Sequence, residues 1–268
     1  MKTMRAMAMV FLAAVFAASL AANWIAPDSY QRQFRDQPDA APCAQHLLGT
    51  DALGRDRLSR LLYGSRISLL LAPAAALLST LLAGVIGGAA GFAGGWIESC
   101  VMACTDLFLS LPWLFLLITV RACLPLNVSP VMSVTITFAL LGCLGWAAAA
   151  RMVCADVRGL RNSDFVLLAR ASGAGGARLL FHHIVPNLAP VLAAQFWVSI
   201  PVFILTEANL GILGLGVTEP LPSWGSLLRE LESFSLYSAQ PWLFAPLLLL
   251  MLTVSSFHIA LQKQEVAG

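Results

Sequence analysis

Six long apolar runs constrain this chain most, because each is about as long as a helix that crosses a bilayer. They extend from about Ala6 to Ala26, Ile67 to Phe92, Ile97 to Val120, Val128 to Ala150, Leu188 to Leu210 and Pro241 to Leu261. Crossing the hydrocarbon core as a helix takes ~20 apolar residues. Apolar residues make up 59% of the 268 residues and charged residues only 11%, whereas a soluble domain has ~25% charged residues. The runs therefore predict an all-α membrane protein, a polytopic bundle of about six transmembrane helices with no separate soluble domain.

A polar interruption between the fourth and fifth runs carries its own helical pattern. It extends from Asp156 to Pro186 and reads DVRGLRNSDFVLLARASGAGGARLLFHHIVP. Apolar and small residues recur in it at i, i+3, i+4 and i+7, which is the spacing of one helix face; they are Phe165, Leu168, Ala169 and Ser172. The glycines from Gly173 onward end the pattern. We interpret this segment as a short helix that presents an apolar face to a soluble partner, with a solvated connector as the alternative.

The alternation of six spans predicts the orientation of this segment. If the N-terminal Lys2 and Arg5 stay in the cytoplasm, the loop Arg151–Pro186 and the C-terminal Lys263 are cytoplasmic too. Lys and Arg divide evenly between the two sides, so the positive-inside rule does not fix the orientation. The first run also resembles a secretory signal peptide, with basic residues before it and Ala22 near its end. Cleavage there is the alternative to a first transmembrane helix.

The sequence gives little support to catalysis, metal binding or nucleic-acid binding. His182 and His183 lack the serine, paired carboxylates or HExxH pattern that a hydrolase needs, and no phosphate-binding GxxxxGK[ST] loop is present. Cys100 and Cys104 share a helix face without a histidine or carboxylate beside them, so they read as buried small hydrophobes. The net charge is +2 and there is no long basic block, which excludes a nucleic-acid footprint. We expect no catalytic residue, no metal and no cofactor.

The segment before the second run contains a possible helix of its own. Thr50 or Asp51 is placed to cap it, with Asp56 and Arg60 at i, i+4 on its wet side. An apolar stripe follows the same helix, formed by Leu58, Leu61 and Leu62. The pattern fits a helix lying on the membrane surface. A purely structural lead into the second span is the interpretation that we favour.

Five blocks of this sequence, taken together, carry a family resemblance. The first block, from His46 to Ala72, reads HLLGTDALGRDRLSRLLYGSRISLLLA. It is followed by GFAGGWIESCVMACTDLFLSLP, LGWAAAARMV, the polar interruption and ILTEANLGILGLGVTEPLPSWGSLL. In this order the blocks resemble the permeases of ATP-binding-cassette importers in the dipeptide, oligopeptide and nickel branch, of the C type, and they cover most of the chain from His46 to Leu228.

The resemblance implies that the polar interruption contains a coupling helix that docks on a cytoplasmic ATPase. The family marks this helix by a Glu-Ala-Ala triplet, a glycine and a proline at fixed spacing, and Gly173 and Pro186 keep that spacing. Leu167 stands where glutamate is usual, and Leu168 replaces the first alanine. The implied coupling residues are Asp164, Phe165, Leu168, Ala169, Arg170, Gly173 and Ala174.

The resemblance also implies a function and a set of partners. The chain would be the non-catalytic permease subunit of an ATP-driven importer for peptides or a related small solute, including nickel, and would work by alternating access. Its partners would be a second permease subunit, two cytoplasmic ATPase subunits or domains, an external solute-binding protein and the lipid membrane. It would lie in the bacterial inner membrane with both termini in the cytoplasm. Residues 1–66 would form a first transmembrane helix and an external loop with an amphipathic helix, and residues 67–268 a permease core with the coupling loop 151–186.

Two carboxylates inside the apolar runs are candidates for the translocation path, since a charge in the bilayer is costly and usually faces the bundle interior or water. They are Asp106 in the third run and Glu207 near the outer end of the fifth. A hydrogen bond to a neighbouring helix is the alternative for Asp106, and an interfacial position is the alternative for Glu207. Glycines after Glu207 predict a close backbone approach or a helix break; they are Gly211, Gly214 and Gly216. An ion-coupled secondary transporter, which would need more buried carboxylates, and a membrane scaffold subunit are the alternative functions.

Overall fold

The computed structural model describes residues 2–125, 128–232 and 240–262, and its regular structure is helical. Its α-helices are α1 (Lys2–Leu20), α2 (Ala22–Ile25), α3 (Arg57–Ala93), α4 (Gly95–Ser110), α5 (Trp113–Cys123), α6 (Pro130–Leu144), α7 (Ala147–Arg161), α8 (Asp164–Ala171), α9 (Gly176–Arg178), α10 (Val185–Ile212), α11 (Trp224–Leu228) and α12 (Ala245–Leu261). A π-helical segment, Leu179–Ile184, joins α9 to α10, and 3₁₀ turns occupy Arg229–Glu232 and Pro241–Phe244. The described ranges contain isolated β-bridges but no strand. The predicted all-α class is confirmed. Lys263, which the alternation of spans places in the cytoplasm, lies outside the described residues.

Five helical stretches of the described chain are long and apolar enough to cross a membrane. The number rises to six if a bent pair of helices is counted as one further span. The five are Lys2–Leu20, Arg57–Ala93, Pro130–Arg161, Gly176–Ile212 and Pro241–Leu261. They match five of the six predicted runs.

The bent pair corresponds to the predicted third span. It consists of α4 and α5, which meet at an angle of 85°. The break lies at Leu111, which has an extended backbone (φ −80°, ψ 132°) and precedes Pro112. A residue before proline is driven out of the helical region by the proline ring. The sequence of the break therefore explains why one apolar run becomes two helices.

The chain divides into two compact units. The first contains the described residues of Met1–Ala72, Arg121–Phe138 and Pro201–Gly268, and the second contains Pro73–Val120 and Ala139–Ile200. Within the first unit, α1 packs along α12, and α11 also contacts α12. Within the second unit, α7 packs against α4 and α8.

Of the two interpretations of the segment before the second span, the structure agrees with the favoured one, a lead into the span, because α3 begins at Arg57 and runs unbroken to Ala93. Its N-terminus is capped by Asp56, whose Oδ2 accepts a hydrogen bond from the Ser59 backbone N–H at 2.7 Å. Asp56 and Arg60, expected on a wet face, are both buried. The segment is thus a direct lead into the span, and its charges serve contacts inside the protein.

Candidate functional site

Helix α8 is a short helix with well-defined ends inside the polar interruption. Ser163 precedes it in an extended conformation, and Asp164 lies in its first turn, where a negative charge stabilises the N-terminus. At its C-terminus Gly173 has φ +86°. The N–H of Gly173 bonds the carbonyl of Arg170 at 3.0 Å, and the N–H of Ala174 bonds the carbonyl of Ala169 at 3.0 Å. This bonding pattern is a Schellman cap, in which a glycine with positive φ usually occupies the position of Gly173.

The two faces of α8 differ in exposure. Val166 is fully buried and fixes the inner face, while Ala169 on the same side is partly covered. Leu168 is 70% exposed, and Phe165 and Leu167 are exposed as well. The two leucines that replace the usual glutamate and alanine therefore point outward. These replacements make the outer face of α8 more apolar, rather than filling the interior.

A buried apolar cluster of the second unit supports α8. Val153 and Val157 of α7 pack with Ile184 of the π-helical segment and Leu188 of α10. Phe165 lies against His183, with ring centroids 6.4 Å apart. Because these side chains are buried together, they hold α7 against the π-helical segment and the start of α10. These elements precede and follow α8 in the sequence. Helix α8 contacts α7 and the π-helical segment, and its apolar outer face is uncovered.

Two ion pairs hold α4 antiparallel to α7. Arg158 Nη1 lies 2.9 Å from Glu98 Oε1, and Arg151 Nη1 lies 2.9 Å from Asp106 Oδ1. Arg161 adds a hydrogen bond from Nη1 to the carbonyl of Phe92 at 3.2 Å. Asp106 and Arg151 are both about half exposed, so this pair reaches the surface of the chain. Asp106 thus contacts a neighbouring helix and also keeps an accessible side.

Glu207 is fully buried in the first unit rather than interfacial. Its Oε2 accepts a hydrogen bond from Ser68 Oγ at 3.0 Å, and the same hydroxyl accepts one from the Trp224 backbone N–H at 3.1 Å. The carboxylate thereby links α10 to α3 and α11. Close backbone packing accompanies it, since a Cβ added to Gly211 would lie 2.3 Å from the Cα of Gly225. The predicted close approach of the glycines is confirmed, and α10 ends at Ile212, directly after Gly211.

A network of charged residues that sequence reasoning missed lies at the start of α3. Arg55 Nη1 donates to Glu219 Oε2 at 2.6 Å, and Arg60 Nη2 donates to Glu219 Oε1 at 2.8 Å. Arg55 Nε also donates to Asp51 Oδ2 at 2.6 Å. His46 Nδ1 lies 2.9 Å from Asp56 Oδ1 in a buried pair. The charges of the first family block are therefore used to hold the segment before α3 to the loop after α10.

The electrostatics of this network are asymmetric. Burial raises the pKa of the Glu219 carboxyl, but Arg60 and Arg55 outweigh burial and hold that pKa below its ordinary value. Burial lowers the pKa of the Arg55 guanidinium, yet its bonds to Asp51 and Glu219 raise it overall. Burial raises the pKa of Glu230, and the attraction of Arg57 and Arg60 does not offset it. The ionised form of Glu219 is therefore stabilised in the folded protein, whereas ionisation of Glu230 is less favourable than that of an ordinary glutamate.

The structure brings together only some of the predicted site residues. The coupling residues lie on α8 and its cap, whereas Asp106 and Glu207 belong to different compact units. Sequence reasoning missed Val166 and Glu219. The period of the pattern on α8 could have placed Val166 opposite Leu168, but no local signal in the sequence pairs Glu219 with arginines more than 150 residues earlier.

Comparison with known proteins identifies a family that this chain matches. Residues 69–264 match the family described as binding-protein-dependent transport system inner membrane component. The oligopeptide transport system permease protein OppC of Bacillus subtilis (strain 168) is 34% identical over 224 residues, which cover 82% of this chain and 70% of the relative. The dipeptide transport system permease protein DppC of the same organism is 31% identical over 261 residues, which cover 96% of this chain and 79% of the relative.

A third relative comes from Brucella suis biovar 1 (strain 1330) and is provisionally named a peptide permease protein. It is 35% identical over 204 residues, which cover 76% of this chain but 66%, just under two thirds, of the relative. The family match covers most of the chain, including α8 and most of the helices that are long and apolar enough to cross a membrane. The chain therefore belongs to the family of binding-protein-dependent transport system inner membrane components.

Proposed function

We propose that this chain is the permease subunit of an ATP-driven importer for peptides or a related small solute. Three relatives carry names that refer to oligopeptide, dipeptide or peptide permeases, and the family consists of transport components of the inner membrane. A membrane subunit of this kind needs a contact through which an ATPase drives it. The observation that carries the proposal is the uncovered apolar face of α8, beside the buried cluster of α7 and the π-helical segment.

In this proposal α8 is the coupling helix. Phe165 and Leu168 enter an apolar groove of a cytoplasmic ATPase, where their burial would contribute several kcal/mol, ~1.5–3 kcal/mol for each fully covered side chain. Asp164 and Arg170, at opposite ends of the helix, flank this face with charges that fix the register. Gly173 and Ala174, in the cap of the helix, keep the backbone close to the ATPase surface, because their side chains are absent or small.

The remaining partners and the orientation follow from this role. Both termini and α8 lie in the cytoplasm, and the segment 27–56 faces the opposite side, where an external solute-binding protein delivers the substrate. A second permease subunit completes the path, and two ATPase subunits or domains drive alternating access. Asp106, with its half-exposed carboxylate, is our candidate for the path. Glu207 is the second candidate, reached by substrate only when the first unit opens.

Purification of the tagged chain from its native membranes tests this proposal. We expect two further kinds of subunit to accompany it, a second permease and an ATPase, and we expect proteoliposomes of the complex to accumulate peptide only with ATP and the binding protein. Uptake driven by an ion gradient without ATP would contradict the proposal and favour a secondary transporter. Isolation of the chain with neither subunit, combined with no ATP-dependent uptake, would also contradict it.

A further inference from the structure

Helix α3 carries overlapping pairs of glycines at i, i+4, and the chain itself uses one of them for close helix packing. A Cβ added to Gly87 would lie 2.2 Å from the carbonyl oxygen of Ala150, and one added to Gly91 would lie 2.6 Å from that of Cys154. Ala150 and Cys154 are themselves at i, i+4 on α7. The backbone of α7 is therefore seated directly on this glycine pair, as in helix contacts formed by small residues in membranes.

The second pair, Gly84 and Gly88, has no helix backbone against it among the described residues. A Cβ added to Gly88 would meet no atom within 4 Å, and one added to Gly84 would contact only the Leu192 side chain, at 3.5 Å. Both glycines line an apolar groove of about 620 Å³ between residues 77–89 of α3 and residues 180–196. All of these residues belong to the second compact unit. The groove therefore has the small residues of a close helix contact, but among the described residues only the Leu192 side chain covers part of them.

Thr80 extends this floor by one turn and adds a polar group to it. Its side chain lines the groove, and the residue is only 5% exposed. Its Oγ1 has no hydrogen-bond partner among the described residues. A buried hydroxyl at membrane depth finds no water to bond, so leaving it unpaired is unfavourable. The position of Thr80 indicates an acceptor that another molecule supplies.

We propose that this groove binds a transmembrane helix of a second permease subunit, which packs small residues on Thr80, Gly84 and Gly88 and accepts a hydrogen bond from Thr80. This inference rests on the proposed function, which supplies a second permease. The contact of Gly87 and Gly91 with α7 in the same chain is the template for the geometry. A lipid tail has no acceptor for the Thr80 hydroxyl. A polar solute would find no other polar side chain among the described residues that line the groove.

Two substitutions test the groove without disturbing the chain that forms it. Gly88→Leu fills the open space, and Thr80→Val removes the hydroxyl while it keeps the shape of the side chain. We expect Gly88→Leu to reduce the amount of second permease that co-purifies by about tenfold and Thr80→Val by a few-fold. The thermal stability of the separated chain in detergent should be unchanged for Gly88→Leu and unchanged or raised for Thr80→Val, since that variant loses an unsatisfied group. If Thr80 had a structural role within the chain, Thr80→Val would lower the thermal stability instead.

Gly159→Leu is the matched control, because Gly159 lies in α7, and an added Cβ there also meets no atom within 4 Å. This variant should retain the second permease at the wild-type level. If Gly88→Leu and Thr80→Val also retain it at that level, the groove does not bind the second permease and the inference is wrong. ATP-dependent uptake by the same preparations would then show that the proposed function still stands.

Photo-crosslinking in native membranes provides an independent reading of what covers the groove. A photoreactive residue at Val85, an exposed position that lines the groove, should form an adduct with the second permease that co-purifies with the chain. The same residue at Leu248, an exposed position on α12 outside the groove, is the control for non-specific capture. Adducts of Val85 with lipid alone, beside a complex that still contains the second permease, would overturn the inference and leave the importer assignment intact.

Discussion

Arg60 and Glu219 are separated by 159 residues in the sequence, yet Arg60 Nη2 lies 2.8 Å from Glu219 Oε1. Arg60 is almost fully buried, and Arg55 binds the other oxygen of the same carboxylate. Glu219 is therefore the residue that joins the loop after α10 to the segment at the start of α3. A buried guanidinium that lost this partner would keep its charge without adequate compensation.

Replacement of Glu219 by glutamine should destabilise the first unit. Glu219→Gln removes the charge that compensates Arg60 and Arg55, and we expect a loss of about 1–2 kcal/mol, limited because the carboxylate is half exposed. Thermal unfolding of the purified chain in detergent measures the change. Glu232→Gln is the matched control, because Glu232 is similarly exposed and its ion pair with Arg229 spans 4.0 Å. An equal loss in both variants would show that Glu219 has no special role.

The contribution of Glu219 should vanish in acid. Its pKa is lowered in the folded protein from the ordinary value of 4.5. A lowered pKa gives stability that is fully present above the ordinary value and is lost as the pH falls through the folded value. The difference in melting temperature between wild type and Glu219→Gln should thus be large at about pH 7 and small at about pH 3. A difference that stays constant over this range would contradict the assigned ionisation.

Glu230 should respond to pH in the opposite direction. Its folded pKa is raised above the ordinary value, so its contribution to stability is present below that value and is lost as the pH rises through the folded value. The wild type should consequently lose stability relative to Glu230→Gln as the pH rises through the weakly acidic range. The same measurement of melting temperature against pH reports the contributions of both residues. A parallel trend for Glu219 and Glu230 would mean that burial does not dominate at Glu230.

The close approach of Gly211 to Gly225 predicts a strong effect of a single methyl group. Gly211→Ala places a Cβ 2.3 Å from the Cα of Gly225, where only backbone movement can relieve the clash. We expect a loss of about 1–3 kcal/mol in stability. Gly159→Ala, in open space within α7, should be neutral or stabilising by about 0.5–1 kcal/mol, because alanine favours the helix. Equal effects of the two changes would rule out the packing of α10 on α11 as described.

The cap of α8 predicts a contrast between two side chains at Gly173. This glycine has φ +86°, and an added Cβ would meet no atom within 4 Å, so any effect of substitution arises from the backbone. Gly173→Val should disfavour the cap by about 1–2 kcal/mol, whereas Gly173→Asn should be tolerated better, because asparagine adopts the left-handed region more readily. Hydrogen exchange of the α8 amides measures the opening of the helix. Similar protection in both variants would contradict the role of the positive φ.

The sequence predicts the membrane architecture well because the signal is local. Each apolar run of about the right length must satisfy its backbone as a helix in the bilayer, and a helix at 164–171 is predicted by the period of its apolar residues. The cap at Gly173 also follows from the residue itself, since glycine alone adopts a positive φ without strain. These features depend on spacings of a few residues.

Features that depend on distant contacts escape this kind of reasoning. Asp56 and Arg60 look like the wet side of a surface helix, but Asp56 caps α3, and Arg60 binds a carboxylate far along the chain. Glu207 looks interfacial from its place near a helix end, yet Ser68 and the backbone of α11 surround it. The sequence contains the charges of these pairs, but only the folded chain decides which of them meet.

The central claim is that α8 binds an ATPase through its outer face, and one substitution tests it most directly. Leu168 is 70% exposed and makes no contribution to the interior, so Leu168→Glu should leave folding and membrane insertion intact. Leu47→Glu is the matched control, because Leu47 is 61% exposed and lies before α3, far from α8 in the sequence.

The amount of ATPase that co-purifies with each variant is the decisive measurement. A carboxylate buried without a partner in the interface costs a few kcal/mol. We therefore expect Leu168→Glu to retain less than about one tenth of the ATPase and to lose ATP-dependent uptake, while Leu47→Glu retains both. Wild-type levels of ATPase and of uptake with Leu168→Glu would contradict the account and leave α8 as a solvated connector.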